Sequence, residues 1–131
     1  GCMQGFFLYE ALKRGAKRAV GVDHDVTEMG IAREIQEIMA MSVELVHENI
    51  EEYQPDQPFD IVLMMNITHV LKNPKETITK YLDVTKELLV IEYRAGHESY
   101  FPRDPDRMCD SLRSAGYRKL AFFNGSEFRD S

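Results

Sequence analysis

Apolar positions along this chain switch between a helical period and a strand period. Residues 5–14 place Phe6, Phe7, Leu8, Ala11 and Leu12 at helical spacing, so at least one of the two phenylalanines is expected in the core. Gly15 stands where such a helix would stop in the left-handed conformation. "RAVGVD", residues 18–23, is short, apolar and β-branched, as a buried parallel strand should be. Asp25 is placed to cap the next helix, with Glu28 three residues on completing a capping box. That helix shows Ile31, Ile35 and Ile38 on one stripe, with Met29, Ala32 and Met39 beside it.

"SVELVHEN", residues 42–49, alternates as a strand does, and the proline-bearing "YQPDQP" is a loop. "FDIVLMMN", residues 59–66, is the most strand-like segment. Asn73-Pro74 supplies a cap and first turn for a helix running to about Asp83. "ELLVIEY", residues 87–93, reads as another buried strand. Asp104-Pro105 opens a last helix with Met108, Cys109, Leu112 and Ala115 as its apolar face, Gly116 lies past its end, and residues 117–123 close as a strand.

The order is α-β-α-β-loop-β-α-β-α-β. Such alternation predicts a doubly wound, mostly parallel α/β sheet with helices on both faces. The 131 residues suit one domain. The count is one strand short at the front, and the opening "GCMQGFF" is the kind of glycine turn that follows a strand. The expectation is therefore a first strand ahead of Gly1, and a further strand after "EFRDS".

A glycine turn between strand and helix lets backbone approach a ligand, and the helix start behind it adds N–H groups and partial positive charge. Asp23 ends the second expected strand, 18 residues after Gly5. An acid about 20 residues beyond such a turn is placed to accept ribose hydroxyls. The dinucleotide fingerprint G-x-G-x-x-G fails, because Met3 and Phe6 stand where its second and third glycines would be. This disfavours an NAD-dependent oxidoreductase. No Gly-Lys-Ser/Thr follows, so a P-loop fails as well.

Charge and cysteine usage narrow the class further. A net charge of −6 disfavours DNA as a partner, and the basic group Lys13, Arg14, Lys17 and Arg18 reads as a solvated helix end. No apolar run approaches the roughly 20 residues of a membrane span. Cys2 and Cys109 form no C-x-x-C pair and no disulfide framework, which suits the cytoplasm. His47 and His97 lack ligand spacing, so no metal is expected.

The opening segment resembles motif I of class I S-adenosylmethionine-dependent methyltransferases, in the variant G-C-x-x-G-F. Gly1, Cys2, Gly5 and Phe6 match, and Met3 replaces the middle glycine. "VGVDHD" looks like the second strand of that family, "VHENIEEY" the segment after its third, and "FDIVLMMNITHVL" its motif IV. "LDVTKELLVIE" and "PDRMCDSLRSAGYRKLAFF" are similar to its later helices and strands, so the likeness covers nearly the whole chain. It is nearest to the wobble-uridine tRNA-modifying and small-molecule type, with Thr68-His69 ahead of a helix begun by Pro74.

The resemblance implies S-adenosyl-L-methionine as cofactor and a small molecule or an RNA base as methyl acceptor. It implies that Gly1, Cys2, Met3 and Gly5 form the cofactor turn, Asp23 takes the ribose, and Asn49 and Ile50 sit by the adenine. His24, beside Asp23, is a further adenosine contact or a surface histidine. Asn66 either binds the methionine part or caps a turn. His69 is the candidate general base, because it follows the strand that carries the reaction site and titrates near neutrality. Tyr93, Arg94 and His97 are expected to shape the acceptor pocket. A member of this fold that binds cofactor or a partner without turnover is the alternative.

Overall fold

A computed structural model describes residues 1–92 together with Asp110, Arg113 and Ser114. The chain divides into one unit of Gly1–Arg94 and another of Ala95–Ser131. In the second, Asp110, Arg113 and Ser114 are helical, within the span expected to be helix. Arg113 pairs there with Asp110 at 3.4 Å, and Ser114 donates to the Asp110 carbonyl. The remainder of that expected helix, the strand at 117–123, Tyr93, Arg94, His97 and Cys109 lie outside the described residues.

In the first unit, helix α1 (Phe6–Lys13) leads to strand β1 (Val20–Asp23), helix α2 (Val26–Met39) and strand β2 (Glu44–His47). Strand β3 (Phe59–Met64), a 3-10 turn (Thr68–Val70), helix α3 (Pro74–Asp83) and strand β4 (Thr85–Ile91) follow. β4 thus begins two residues before the expected strand. α1 ends in a Schellman motif: the Ala16 N–H donates to Ala11 O and the Gly15 N–H to Leu12 O, so the last carbonyls are satisfied as Gly15 predicts.

Both strand pairs are parallel, as crossover helices require. β1 pairs β2 from Val20↔Glu44 to Asp23↔His47, and β3 pairs β4 from Phe59↔Thr85 to Met64↔Ile91. Among the described residues the two pairs are not hydrogen-bonded to each other. Carbonyls of Ala19 and Asp23 accept from Glu44 and Glu48 on the β2 side. Val22 O, between them in the pleat, faces the other edge, where the Cys2 N–H donates to it at 3.0 Å. The opening residues therefore run along the edge of β1 away from β2. Ile61, Leu63 and Leu88 of the second pair are exposed.

Tyr9, Ala19 and Val43 are buried together, with Leu8, Leu12, Ile35, Met39, Met41 and Leu45 packed around them. Tyr9 satisfies its hydroxyl on Ala32 O at 3.0 Å. Two apolar readings are corrected here. Phe6 and Phe7 are both exposed, stacked edge-to-face on each other at 5.4 Å, because α1 turns Tyr9 inward. On α2 the buried pair is Met29 and Ala32, and Ile38 is 83% exposed.

Capping also departs from expectation. Asp25 does cap α2, accepting from the Thr27 and Glu28 N–H groups, but its own N–H goes to Asp23 Oδ1 rather than to Glu28. The Asn73 side chain makes no cap to α3; instead the Asn73 N–H donates to Glu51 Oε1 at 2.7 Å. In both places the N–H of the residue before the helix is taken by a carboxylate outside the helix, two residues back at α2 and 22 residues back at α3.

Candidate functional site

The opening residues fold into a tight turn. The Gly5 N–H donates to Cys2 O at 3.0 Å, and Gly5 O accepts from Leu8 and Tyr9 to start α1. Gly5 is left-handed (φ 82°), and a Cβ there would stand 3.1 Å from Tyr9 Cε2, so both backbone and packing call for glycine. Met3, read from sequence as lacking a glycine's freedom, nevertheless adopts φ 48°. A side chain in that region costs roughly 1–2 kcal/mol. The Met3 N–H holds the conformation by donating to Asp23 Oδ2 at 2.8 Å.

Asp23 closes β1 and is 4% exposed. Burial alone pushes its carboxyl up, but N–H bonds from Asp25 and Met3 outweigh that and hold it below the ordinary carboxylate range. Each oxygen has spent one acceptor position on a backbone N–H, and a carboxylate offers about four. Cys2 is half-buried beside it. Burial, then the Asp23 charge, push the Cys2 thiol up, which keeps it protonated at neutral pH. Its contribution to the turn is backbone, not a thiolate.

His24 is largely exposed, with Nδ1 3.8 Å from Asp23 Oδ1, and its carbonyl lies 3.0 Å from His47 Nε2. Because the Glu48 N–H donates to Asp23 O, the segment that follows β2 starts against the end of β1. Asn49 then shapes a turn, its Oδ1 accepting the Glu51 N–H and its carbonyl those of Glu52 and Tyr53. Ile50 presents its carbonyl to α3, where Tyr81 Oη donates at 3.0 Å.

After β3, Asn66 is exposed and left-handed (φ 51°). Ile67 is buried, and a Cβ on Gly1 would stand 3.2 Å from its Cδ1, so the opening turn packs on this loop. Thr68 is fully buried, with no hydrogen-bond partner for its hydroxyl among the described residues. His69 is half-buried on the 3-10 turn. Gly1, Cys2, Met3, Gly5, Asp23 and His24 are thus one cluster, joined through Gly1 to the loop carrying Asn66 and His69. Asn49 and Ile50 lie at the same, carboxyl, end of the strands, where open α/β sheets bind ligands. Among the described residues no His, Cys, Asp and Glu group is arranged to hold a metal, and no helix is long and apolar enough to cross a membrane.

Sequence reading missed Gly21. A Cβ on it would lie 2.5 Å from Leu8 Cδ1 and 2.8 Å from Cys2 Sγ, so this glycine lets the opening turn and α1 close onto β1. The signal was present, since a glycine inside a strand marks close backbone approach. Glu51, Lys80 and Tyr81, which secure the turn after β2, left no local signal.

Known structures share this fold. The plantazolicin methyltransferase BpumL, solved with a desmethyl plantazolicin analogue and S-adenosylhomocysteine, is 17% identical with a TM-score of 0.60. That match covers 68% of this chain and 34% of BpumL, so the chain spans about a third of that protein. Coclaurine N-methyltransferase, bound to N-methylheliamine and S-adenosylhomocysteine, is 22% identical with a TM-score of 0.60, covering 68% of this chain and 27% of the other. The [4+2]-cyclase SpnF is 22% identical with a TM-score of 0.67, covering 88% and 49%. No curated protein sequence matches. The family model described as "Methyltransferase domain" matches residues 1–87. With parallel strands, crossover helices and a glycine turn seated on the acid that ends β1, the chain belongs to the methyltransferase domain family, a doubly wound Rossmann-like α/β fold.

Proposed function

We propose that this chain is the cofactor-binding part of an S-adenosylmethionine-dependent methyltransferase working in the cytoplasm. The carrying observation is the bond of 2.8 Å between the Met3 N–H and Asp23 Oδ2, which sets a glycine turn and a buried carboxylate side by side at the carboxyl ends of the strands. The residues fit the cofactor. Asp23 keeps acceptor positions for the two ribose hydroxyls, and Asn49 and Ile50 flank the adenine. The first-turn N–H groups of α1 carry no side-chain cap and suit the methionine carboxylate, with Gly1, Cys2, Met3, Gly5 and Asn66 around it.

When bound, S-adenosylmethionine supplies a methyl group already activated on a sulfonium. The protein's work is then mostly alignment, which accounts for roughly 7–11 kcal/mol of barrier in well-oriented reactions. His69, just past β3, takes the acceptor's proton where the acceptor is a hydroxyl or a protonated nitrogen. The acceptor is a small molecule or a tRNA base. The net charge of −6 and neighbours named for plantazolicin and coclaurine favour the small molecule. The fold shared with the [4+2]-cyclase SpnF supports a second reading in which cofactor is bound without methyl transfer.

Titration calorimetry of the full-length protein with S-adenosylhomocysteine and, separately, with NAD tests the reading. Heat with the first and none with the second is expected. A folded protein silent toward S-adenosylhomocysteine refutes the proposal, and release of methyl onto a substrate panel separates an enzyme from a cofactor-binding module.

A further inference from the structure

Lys80 sits in the last turn of α3, yet its ammonium is spent wholly on another segment. Nζ donates to Ile50 O at 2.9 Å, Glu51 O at 3.0 Å and Tyr53 O at 2.9 Å. Three bonds are all that an ammonium can donate. Tyr81 adds its hydroxyl to the same Ile50 carbonyl, and Glu51 returns the grip by accepting the Asn73 N–H at the start of α3. Burial pulls the Lys80 ammonium down and pushes the Tyr81 phenol up, as expected for groups drawn out of water by this contact.

This clamp fixes the orientation of successive peptides in one short turn. With the carbonyls of residues 50, 51 and 53 held toward α3, and Asn49 Oδ1 held by the Glu51 N–H, little rotation remains for the backbone between them. Charge-assisted bonds are about twice as strong as neutral ones, so the ammonium dominates the set. A lysine used only for solubility would not surrender all three protons to carbonyls.

We propose that Lys80 and Tyr81 are positioning residues for the adenine end of the cofactor site, holding residues 49–53 in the shape that reads the base. The inference rests on the assignment of Asn49 and Ile50 to the adenine. Neither Lys80 nor Tyr81 touches the cofactor in this scheme; they act through the turn. A clamp that served stability alone would alter binding of every adenosine-like ligand in equal proportion. A clamp that shapes the base-reading turn alters recognition of the base edge selectively.

The test compares S-adenosylhomocysteine with its 6-oxo counterpart, S-inosylhomocysteine, by titration calorimetry on the full chain. Wild type is expected to prefer the adenine ligand. Lys80→Met should lose about tenfold in affinity for S-adenosylhomocysteine and less than about threefold for the inosine ligand, which narrows the preference. Lys80→Arg should recover most of it, and Tyr81→Phe should narrow it by about threefold. Where Lys80→Met does not fold by circular dichroism, the Tyr81→Phe ratio decides. An unchanged preference in folded Lys80→Met or, failing that, in Tyr81→Phe, or a wild type that binds both ligands equally, overturns the inference and leaves the cofactor reading standing. A wild type that binds neither overturns both.

Discussion

Asp23→Ala is expected to weaken S-adenosylhomocysteine binding about a hundredfold, because two ribose hydroxyls donating to a charged acceptor contribute about 1.5 kcal/mol each. The same change strands the Met3 and Asp25 N–H groups, so thermal stability should also fall. Titrating the 2′,3′-dideoxy analogue separates the two effects. Wild type should bind that analogue as poorly as Asp23→Ala binds the parent ligand, and the variant should show no further loss with it. Parent-like affinity in Asp23→Ala removes the ribose assignment. An equal dideoxy penalty in both proteins means that Asp23 acts only through the turn.

The acid also sets a pH dependence. Its carboxyl sits below the ordinary 3.8 in the folded chain. The unfolded chain therefore takes up the proton first as pH falls. The contribution to stability is complete above that ordinary value and is lost as pH drops through the lowered one. Asp23→Asn should flatten this part of a stability-against-pH curve, and a curve parallel to wild type contradicts the assignment.

Gly21→Ala is the second large effect. The added methyl cannot be absorbed by Leu8 alone, since Cys2 Cβ lies 3.0 Å away and belongs to the turn itself. Overpacking of this kind costs about 1–3 kcal/mol, and here the displaced atoms carry Met3 off Asp23, so cofactor affinity should fall together with the melting temperature. Gly30→Ala is the control. It lies within α2 with nothing within 4 Å of the new Cβ and should stabilise by about 0.5–1 kcal/mol. A Gly21→Ala chain as stable as wild type would show that the turn has slack which the packing does not suggest.

The elements were legible because each combined a period with punctuation: Gly15 after α1, Asp25 before α2, Pro74 opening α3. Faces were less legible. α1 begins with four apolar residues in a row, so periodicity cannot select Tyr9 over Phe6 and Phe7. On α2 two stripes adjoin, Ile31-Ile35-Ile38 and Met29-Ala32-Met39; Met29 and Ala32 are fully buried, Ile35 and Met39 pack around the core, and Ile38 is left in solvent. The pairing of turn and acid followed from spacing alone. The clamp on residues 49–53 did not, because Lys80 reaches Ile50 across 30 residues of sequence and only the folded chain brings the two together.

The second strand pair carries a consequence for handling the protein. Among the described residues β3 is hydrogen-bonded along one side only, and Ile61 and Leu63 stand in solvent with Leu88 of β4. In a chain of these residues alone, such an open strand flanked by branched aliphatics is a template for another copy of itself, with Asp60 as the one charge within Phe59–Met64 to discourage annealing. Titrations on these residues therefore belong in dilute solution, with light scattering followed alongside the heat, so that strand-on-strand assembly is not mistaken for ligand uptake.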